Sequence, residues 1–319
     1  MSKHTDIGKK ENAEKIAQLT EAIGHWSTTL GGWHPGEGVT LHHTDLLNGV
    51  AQEGWMATVM FAITKRRFNR QQCHLLECLW SICGSFPEPR LWNNRVAAIA
   101  GNARSTAALG TAAAVATSEA IIYGNRPIIA SMDFICQSLL QFKQGRSLDD
   151  IIDRALEAPR QGNSARGPNR DLARLPGFGR PITPKDERIE PLMKKVTELG
   201  YENGEHLQLA FALETQLIQR GSKLRLNISP IMGALCADQG LTTRQYNYFI
   251  VLCCCAGFLA CGTDAENHPP GSFYPLPCSA LEYQGPAPRS WQVNTTSDGL
   301  DESLSGNDPI KPSNSPETV

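Results

Sequence analysis

The stretch Leu175-Pro176-Gly177-Phe178-Gly179-Arg180-Pro181, followed by Lys185-Asp186-Glu187-Arg188, marks a sharp turn in the chain. It closes a linker-like region, residues 159–184, in which Gly and Pro recur. Gly177 and Gly179 lack a Cβ atom, so both can adopt positive φ and let another group approach the backbone closely. A helical pattern begins at Arg188, and acidic side chains directly before it suit a helix N-terminus. The stretch therefore predicts a glycine-rich turn that leads into a helix.

Apolar residues recur at helical spacing on both sides of this turn. The alanine-rich segment 93–123 predicts a buried helix at a contact within or between subunits, because small side chains let backbones approach closely. Only residues 39–42, Val-Thr-Leu-His, alternate like a strand. The sequence therefore predicts an all-α protein. The remaining predicted helices are residues 13–23, 45–83, 128–142, 188–199, 206–219, 229–238 and 243–261.

Length, charge and hydropathy argue against several classes of protein. The 319 residues suffice for one large or two medium domains, and a hydrophobic content of 41% does not suit a wholly disordered chain. With 30 Lys and Arg against 32 Asp and Glu, the chain lacks the basic surplus of a general nucleic-acid or anionic-membrane binder. No apolar run approaches the roughly 20 residues of a membrane-spanning helix, and residues 1–14 are too polar for a secretory signal. We therefore expect a soluble, cytoplasmic protein without nucleic-acid or membrane partners.

The ten cysteines predict neither a metal site nor disulfide bonds. Their spacing contains no paired Cys-x-x-Cys motif, and ten free thiols fit a reducing compartment. The run Cys253-Cys254-Cys255 lies between apolar segments inside the predicted helix 243–261. Consecutive helical side chains point about 100° apart, so these three thiols cannot all face one metal ion. We interpret them as small apolar residues of a buried helix.

Several segments, taken in order, share the motifs of one enzyme family. The turn at 175–181 with residues 185–188 matches a Pro-Gly-Phe-Gly-His loop followed by Asp-Pro-Arg. Residues 226–241 match the small-domain helix that comes next, and residues 254–258 match an Arg-Thr-x-Gly helix. Tyr283-Gln284-Gly285-Pro286 matches a closing Tyr-x-Gly-Pro, and Gly31-Gly32-Trp33 to Leu46 fits a short, lyase-like branch. Over most of residues 24–290, the sequence resembles the citrate synthase and citryl-CoA lyase superfamily.

The resemblance implies a citrate-synthase-like, two-domain helical homodimer that closes over a coenzyme A thioester and a carboxylic acid. The large domain would comprise residues 23–144 and 253–290, and the small domain residues 145–252. A polar lead, residues 1–22, would precede them. Residues 291–319 are rich in Ser, Asp, Asn and Pro and should form a disordered tail.

The resemblance also implies where the coenzyme binds. In that family a glycine-rich loop lets backbone groups approach the CoA adenine, which implies contacts at Pro176, Gly177, Phe178 and Gly179. Lys185 could meet a CoA phosphate, or it could be a solvated surface lysine. No cofactor would be bound permanently, since the CoA thioester is a substrate or ligand.

The three proton-handling residues of the family are all replaced. Its first histidine falls at Tyr123, its loop histidine at Arg180, and its aspartate at Ser229, eleven residues before Gly240. A tyrosine donates a hydrogen bond but is a poor base, and an arginine binds an anion without cycling a proton. A serine cannot replace a carboxylate base unaided. Because each such loss costs about 10²- to 10⁴-fold, we expect the usual reaction to be abolished or very slow.

Of the family's three carboxylate-binding arginines, one remains. Arg188 matches the arginine of Asp-Pro-Arg, which grips the keto acid. Cys254 occupies the second position, and residues 276–278 contain no basic residue at the third. One arginine can hold a carboxylate bidentately, but a dicarboxylate would lack its second partner. The resemblance therefore favours an acid smaller or more apolar than oxaloacetate or citrate.

Five further side chains leave alternatives open. His34, His42 and His43 could supply a displaced base, or they could be ordinary loop histidines. Asp186 and Glu187 could form a new acid–base pair, or they could cap the helix that follows.

Two sets of residues could add to a coenzyme site. Arg166, Arg170 and Arg174 could bind the CoA phosphates or form a solvated loop. Cys254 or Cys261 could act as a reactive thiol, which needs a nearby positive charge that the sequence does not locate.

Two functions follow, and whether the chain is an enzyme stays open between them. The first is a non-standard acyltransferase or lyase that forms or cleaves a carbon–carbon bond, acting on an acyl-CoA and a small carboxylic acid. In it, Arg180 stabilises an enolate or carboxylate, Arg188 holds the acid, and Tyr123 donates to a carbonyl. The alternative is a catalytically inactive homologue, either a CoA-ester sensor or a subunit that pairs with an active relative.

Overall fold

The computed structural model describes residues 3–21, 23–24, 27–84, 86–121, 124–157, 175–180, 183, 185–273 and 275–287. These residues form an all-α architecture with one small sheet, as predicted. The helices are α1 Lys3–Glu21, α2 Trp55–Thr64, α3 Arg70–Cys78, α4 Trp92–Asn102, α5 Ala107–Ser118, α6 Asn125–Lys143, α7 Leu148–Glu157, α8 Ile189–Leu199, α9 Glu205–Gln219, α10 Ile228–Asp238, α11 Thr243–Ile250 and α12 Cys255–Glu266. Short turns of 3-10 helix span Val50–Glu53 and Cys278–Ala280, and a π-helical turn spans Leu79–Gly84.

The small sheet is an antiparallel meander near the N-terminus. Its strands are β1 Gly31–His34, β2 Gly38–Leu41 and β3 Thr44–Asp45, in the order β1-β2-β3. The register pairs Gly31 with Leu41 and His34 with Gly38. The strand predicted at 39–42 is therefore confirmed as β2, and β1 and β3 on either side of it were not predicted.

Three predicted helices are each divided in the structure. The segment 45–83 contains the end of β3, a 3-10 turn, α2, α3 and most of the π-helical turn, because Lys65 adopts a left-handed φ of 59° and the Asn69 side chain caps α3. The segment 93–123 forms α4 and α5, because Arg104 adopts a left-handed φ of 61° and the Thr106 side chain caps the new helix by accepting from the Leu109 N–H. The segment 243–261 forms α11 and α12, with turns at residues 251–254. Cys253 and Cys254 thus lie between two helices, and the interpretation of the cysteine run as the interior of one helix was wrong.

Helix α10 is the centre of the main core. Eight of its residues are buried, and Gly233 lies so close to α6 that a Cβ atom there would come within 2.7 Å of the Met132 Cβ. At the C-terminal end, the Arg66 guanidinium donates to the carbonyls of Gln239 and Gly240, both at 2.8 Å. These contacts fix α10 against α6 and the α2–α3 connection, and they hold its N-terminus in a defined position.

A second cluster joins α4, α5 and α12. Ala97, Ala114 and Phe258 are buried together, and Gly101 approaches the Gly262 carbonyl so closely that a Cβ would lie 2.2 Å from its oxygen. The alanine-rich helix α5 therefore makes the predicted close contact within the chain. Its other face is exposed, at Ala107, Ala108, Leu109, Ala112, Ala113 and Ala116.

One stretch has the length and composition of a membrane-spanning helix. Residues 243–266 reach a mean hydropathy of 1.7 in an 18-residue window. The prediction that no apolar run approaches this length was therefore wrong. In the fold the stretch forms α11 and α12, and Tyr246, Phe249 and Phe258 on it are buried. Only 39% of that window is buried, so one face of the stretch packs in the core while Tyr248 and Leu259 on it are exposed.

The chain divides into two units, Met1–Pro275 and Leu276–Val319. In the described part of the second unit, the Tyr283 hydroxyl donates to the Pro286 carbonyl at 2.9 Å. The predicted division into a discontinuous large domain and a small domain stays a prediction. The predicted tail, residues 291–319, lies outside the described residues.

Candidate functional site

The glycine-rich turn packs on the central helix through its backbone and its one large side chain. Gly177 and Gly179 adopt φ values of 85° and 105°, a region that favours glycine. Phe178 is buried and meets the Phe134 ring edge to face, with ring centroids 6.2 Å apart. A Cβ atom on Gly177 would come within 2.2 Å of the Pro230 ring. The close approach that Gly177 permits is therefore made by the protein's own α10.

Hydrogen bonds join the turn to the residues that precede α10. Gly179 donates to the Arg225 carbonyl at 2.6 Å, and the Asn227 N–H donates to the Gly177 carbonyl at 2.9 Å. The Asn227 amide donates to the Gly179 carbonyl at 3.1 Å, while its oxygen caps α10. The turn and the N-terminus of α10 consequently form one rigid unit.

Asp186 is a buried carboxylate at the same helix N-terminus. One oxygen accepts from the Ile228 N–H at 2.9 Å, and both oxygens accept from the Arg188 side chain, at 2.9 and 2.8 Å. Burial by itself raises the pKa of Asp186, but the Arg188 hydrogen bonds and charge, with the backbone N–H donors, outweigh it and hold the pKa below its ordinary value. Asp186 is a fixed anion, which does not suit the predicted role in an acid–base pair.

Arg188 is held by this carboxylate and by a backbone carbonyl. Besides its two bonds to Asp186, its Nη1 donates to the Cys83 carbonyl at 3.1 Å, at the end of the π-helical turn. Burial opposes its charge, but the Asp186 hydrogen bond and charge raise its pKa above the ordinary value. The Arg188 side chain is about a quarter exposed, and among the described residues one N–H on each terminal nitrogen has no partner. Arg188 can thus still meet an acid, although its main partner is Asp186.

Arg180 is also paired with acids. It makes a short bond to one Glu187 oxygen and a second, at 3.4 Å, to the other, and it lies 3.7 Å from the inner carboxylate of Asp186. The Glu187 side chain is 61% exposed, so it can leave Arg180 when a competing anion arrives. The Arg180 hydrogen bond lowers the pKa of Glu187, which keeps that carboxylate ionised. Arg180 is therefore a cation with an exposed acidic partner.

The remaining predicted site residues divide into three groups. Ser229 lies in the first turn of α10, half-buried, between Asn227, which binds the loop, and Pro230, which packs on it. Lys185 is exposed, and its ammonium lies 3.4 Å from Glu190. Tyr123 lies outside the described residues, as do the three arginines at 166, 170 and 174.

The cysteines beside this site differ in chemical character. The Sγ atoms of Cys253 and Cys254 are 3.7 Å apart. The Cys253 thiol hydrogen bond, and then the Arg188 charge, lower the pKa of Cys254 despite its burial. Burial raises the pKa of Cys83 to about 12. The positive charge that a reactive Cys254 requires is thus present, and sequence reasoning had failed to locate it.

No histidine in the described part of the chain is bonded to Arg180, Asp186 or Arg188. The ring of His42 is bonded to the Ala62 carbonyl at 3.1 Å, and His42 and His43 occupy positive-φ positions beside the small sheet. His206, which sequence reasoning missed, bonds Asp238 at 2.7 Å, between α9 and α10. Among the described residues, no group of His, Cys, Asp and Glu side chains could hold a metal ion.

Comparison with solved structures places this fold. The chain superposes on a citryl-CoA lyase from Hydrogenobacter thermophilus with a TM-score of 0.68 at 20% identity, over 84% of this chain and 98% of the lyase. The chain has the citrate synthase and citryl-CoA lyase fold. An ATP citrate lyase from Methanosaeta concilii in complex with (3S)-citryl-CoA matches with a TM-score of 0.63 at 15% identity. A citrate synthase from Pyrobaculum aerophilum matches with a TM-score of 0.53 at 16% identity.

The share of each matched chain that this chain covers differs among the three structures. The chain spans 44% of the ATP citrate lyase chain and 55% of the citrate synthase chain, against nearly all of the citryl-CoA lyase. This chain is therefore similar in extent to the citryl-CoA lyase, and its place in a short, lyase-like branch stays a prediction. No family model and no curated protein matches the sequence itself.

Proposed function

We propose that the protein binds an acyl-CoA thioester and a small carboxylic acid at the N-terminus of α10. The observation that carries this proposal is the convergence of the turn 175–180, the Asp186–Arg188 pair and Ser229 on that one helix end. The dipole of a helix favours negative charge at its N-terminus. The Ile228 and Ser229 N–H groups of α10 are already bonded to Asp186 and Asn227, and Pro230 has no N–H, so the dipole and nearby cations would attract a ligand there. Arg180 and Arg188 add two cations, each about a quarter exposed. This chemistry suits the carboxylate of an acid and the developing oxyanion of a thioester.

The proposed contacts to CoA involve the residues of the turn that are partly exposed. Pro176, Gly177, Gly179 and Arg180 are partly exposed, whereas Phe178 is buried and would support the loop without touching the ligand. Pro230 fills the Cβ side of Gly177, so a coenzyme would meet the opposite side of that backbone. Lys185 is paired only at the surface and would add a cation for a phosphate.

The proposed reaction is the formation or cleavage of a carbon–carbon bond next to the thioester. Arg180 would stabilise the enolate after leaving Glu187, and Arg188 would hold the acid with its two unbonded N–H groups. Tyr123 would donate to a carbonyl. No described group at α10 acts as a base near neutral pH, because Ser229 is a hydroxyl and Asp186 is a fixed anion. We therefore expect citrate formation far below the speed of ordinary enzymes.

The binding of Arg188 by Asp186 favours a second candidate, a CoA-ester sensor without catalysis. In such a protein the charged side chains of the site would stay paired with one another, and the acyl-CoA would bind without reacting. The exposed apolar face of α5 supports assembly as a homodimer or with an active relative. No bound cofactor and no metal is required in either case, and the proposed location is the cytoplasm.

Calorimetry with CoA and acetyl-CoA tests the binding that both candidates share. We expect saturable binding that Arg180→Met weakens, with Lys195→Met as the matched control, since Lys195 pairs with Glu198 on the exposed face of α8. Product trapping from acetyl-CoA and a panel of keto acids then separates the two. A condensed product supports the enzyme, and bound but unchanged substrates support the sensor. Absence of CoA binding would end both.

A further inference from the structure

Cys254 occupies a position where several features favour a thiolate. It is the N-cap residue of the 12-residue helix α12, where the helix dipole stabilises a negative charge. Its Sγ lies 3.7 Å from the Cys253 Sγ, close enough for the Cys253 thiol to donate a hydrogen bond. It is partly exposed, whereas Cys253 is buried. These features are independent of one another and act on the same sulfur atom.

The π-helical turn links this thiol to the proposed acid-binding arginine. Arg188 donates to the Cys83 carbonyl at 3.1 Å. The next residue, Gly84, lies so close to Cys253 that a Cβ there would come within 2.4 Å of the Cys253 carbonyl oxygen. The Cys253 hydrogen bond lowers the pKa of Cys254 most, burial opposes it, and the Arg188 charge lowers the pKa further.

The other charged and titratable groups around the thiol point the same way. The hydrogen bond with Cys254 and then burial raise the pKa of Cys253. Because Cys253 is the more buried of the two thiols, we assign it as the donor of this hydrogen bond. Burial and then the charge of Cys254 raise the pKa of Cys255. Cys261, the other thiol that the sequence offered, has its pKa raised by burial and by Asp264. Only Cys254 among these four has the character of a nucleophile.

We propose that Cys254 is a nucleophilic thiol that accepts the acyl group of a CoA thioester. The choice of donor rests on the proposed function, because it assumes that acyl-CoA binds beside Arg188. The Cys254 sulfur attacks the thioester carbonyl carbon, a new carbon–sulfur bond forms, and the bond to the CoA sulfur breaks. The thiol proton of Cys254 goes to solvent, and the departing CoA thiolate takes a proton from solvent. One thioester replaces another, so no oxidant, reductant or further reactant is needed.

Alkylation of the full chain with iodoacetamide, mapped peptide by peptide by mass spectrometry, tests the thiolate without any CoA. We expect Cys254 to react first and to reach half its maximal rate at a pH below that of an ordinary cysteine, about 8.5. Cys253→Ala should slow its reaction at neutral pH about tenfold, the value of a hydrogen bond to a charged group. Cys255→Ala is the matched control and should leave the rate unchanged. A Cys254 that reacts no faster than the other thiols would overturn the proposal.

Intact-mass measurement after incubation with acetyl-CoA tests the acyl transfer. We expect the mass of one acetyl group on the wild-type chain and none on Cys254→Ser. A short acetyl thioester of N-acetylcysteamine, which lacks the nucleotide, serves as a second donor. If CoA binds by calorimetry and neither donor acetylates Cys254, the thiol proposal fails and the proposed function stands. If CoA does not bind and the short donor acetylates Cys254, the proposed function fails and the nucleophile stands.

Discussion

Replacing Asp186 by Asn removes the buried charge that holds the site together. The amide keeps the size of the side chain but puts an NH₂ group where an oxygen now accepts from Arg188, and it leaves the Arg188 charge without its partner. Breaking a buried ion pair from one side costs about 3–5 kcal/mol. The whole domain is stabilised by only about 5–15 kcal/mol. We expect Asp186→Asn to lose a large share of the free energy of unfolding.

Urea unfolding at pH 7, followed by circular dichroism, measures this loss. Glu190→Gln is the matched control, because its pair with Lys185 is exposed and such pairs contribute about 0–1 kcal/mol. The double substitution Asp186→Asn with Arg188→Met should recover part of the loss, since it removes both charges from the interior. A loss below about 1 kcal/mol for Asp186→Asn alone would refute the role given to this carboxylate.

The loss of stability in Asp186→Asn should depend on pH. Because the pKa of Asp186 is lowered in the folded protein, its stabilisation is present above the ordinary value of 3.8 and is lost as the pH falls through the folded-state pKa. The gap between wild type and Asp186→Asn should therefore be full at neutral pH and should narrow in acid. An unchanged gap down to the lowest pH at which the wild type remains folded would contradict this assignment.

Three further predictions address other parts of the fold. Gly177→Ala should cost more than about 1 kcal/mol in a urea titration, because φ is positive and the new Cβ meets the Pro230 ring. The Asp238 hydrogen bond is the main cause that raises the pKa of His206 to about 9. The charged imidazole should therefore stabilise the protein fully below pH 6.5, and this stabilisation should be lost as the pH rises to 9. In His206→Gln the free energy of unfolding should not show this decline between pH 6.5 and 9. Ala112→Glu on the exposed face of α5 should convert a dimer into a monomer in light scattering, and a monomeric wild type would contradict that interface.

Sequence reasoning located most helices because their apolar spacing is regular. It placed α10 at 229–238 against the observed Ile228–Asp238, and α9 at 206–219 against Glu205–Gln219. It missed α7, which lies in a charged segment and is started by Ser147, whose hydroxyl accepts from the Asp150 N–H. It also missed the break at residues 251–254, where the chain carries no Gly or Pro and tertiary packing decides the turn.

The site was only partly predictable for a related reason. An acid two residues before a helix usually caps that helix at the surface, so the sequence could not indicate that Asp186 is buried and bound to Arg188. Which residue faces Arg188 depends on contacts between segments about 100 positions apart, such as that between Cys83 and Arg188. The paired state of Arg180 and the thiol pair at Cys253 and Cys254 depend on the three-dimensional fold in the same way.

A crystal structure of the protein with acetyl-CoA is the most direct test of where the thioester binds. We expect its carbonyl oxygen between the N-terminus of α10 and Arg180, with Glu187 displaced and one face of the carbonyl carbon toward the Cys254 sulfur. A coenzyme bound elsewhere on the chain, with Arg180 still paired to Glu187, would contradict the account.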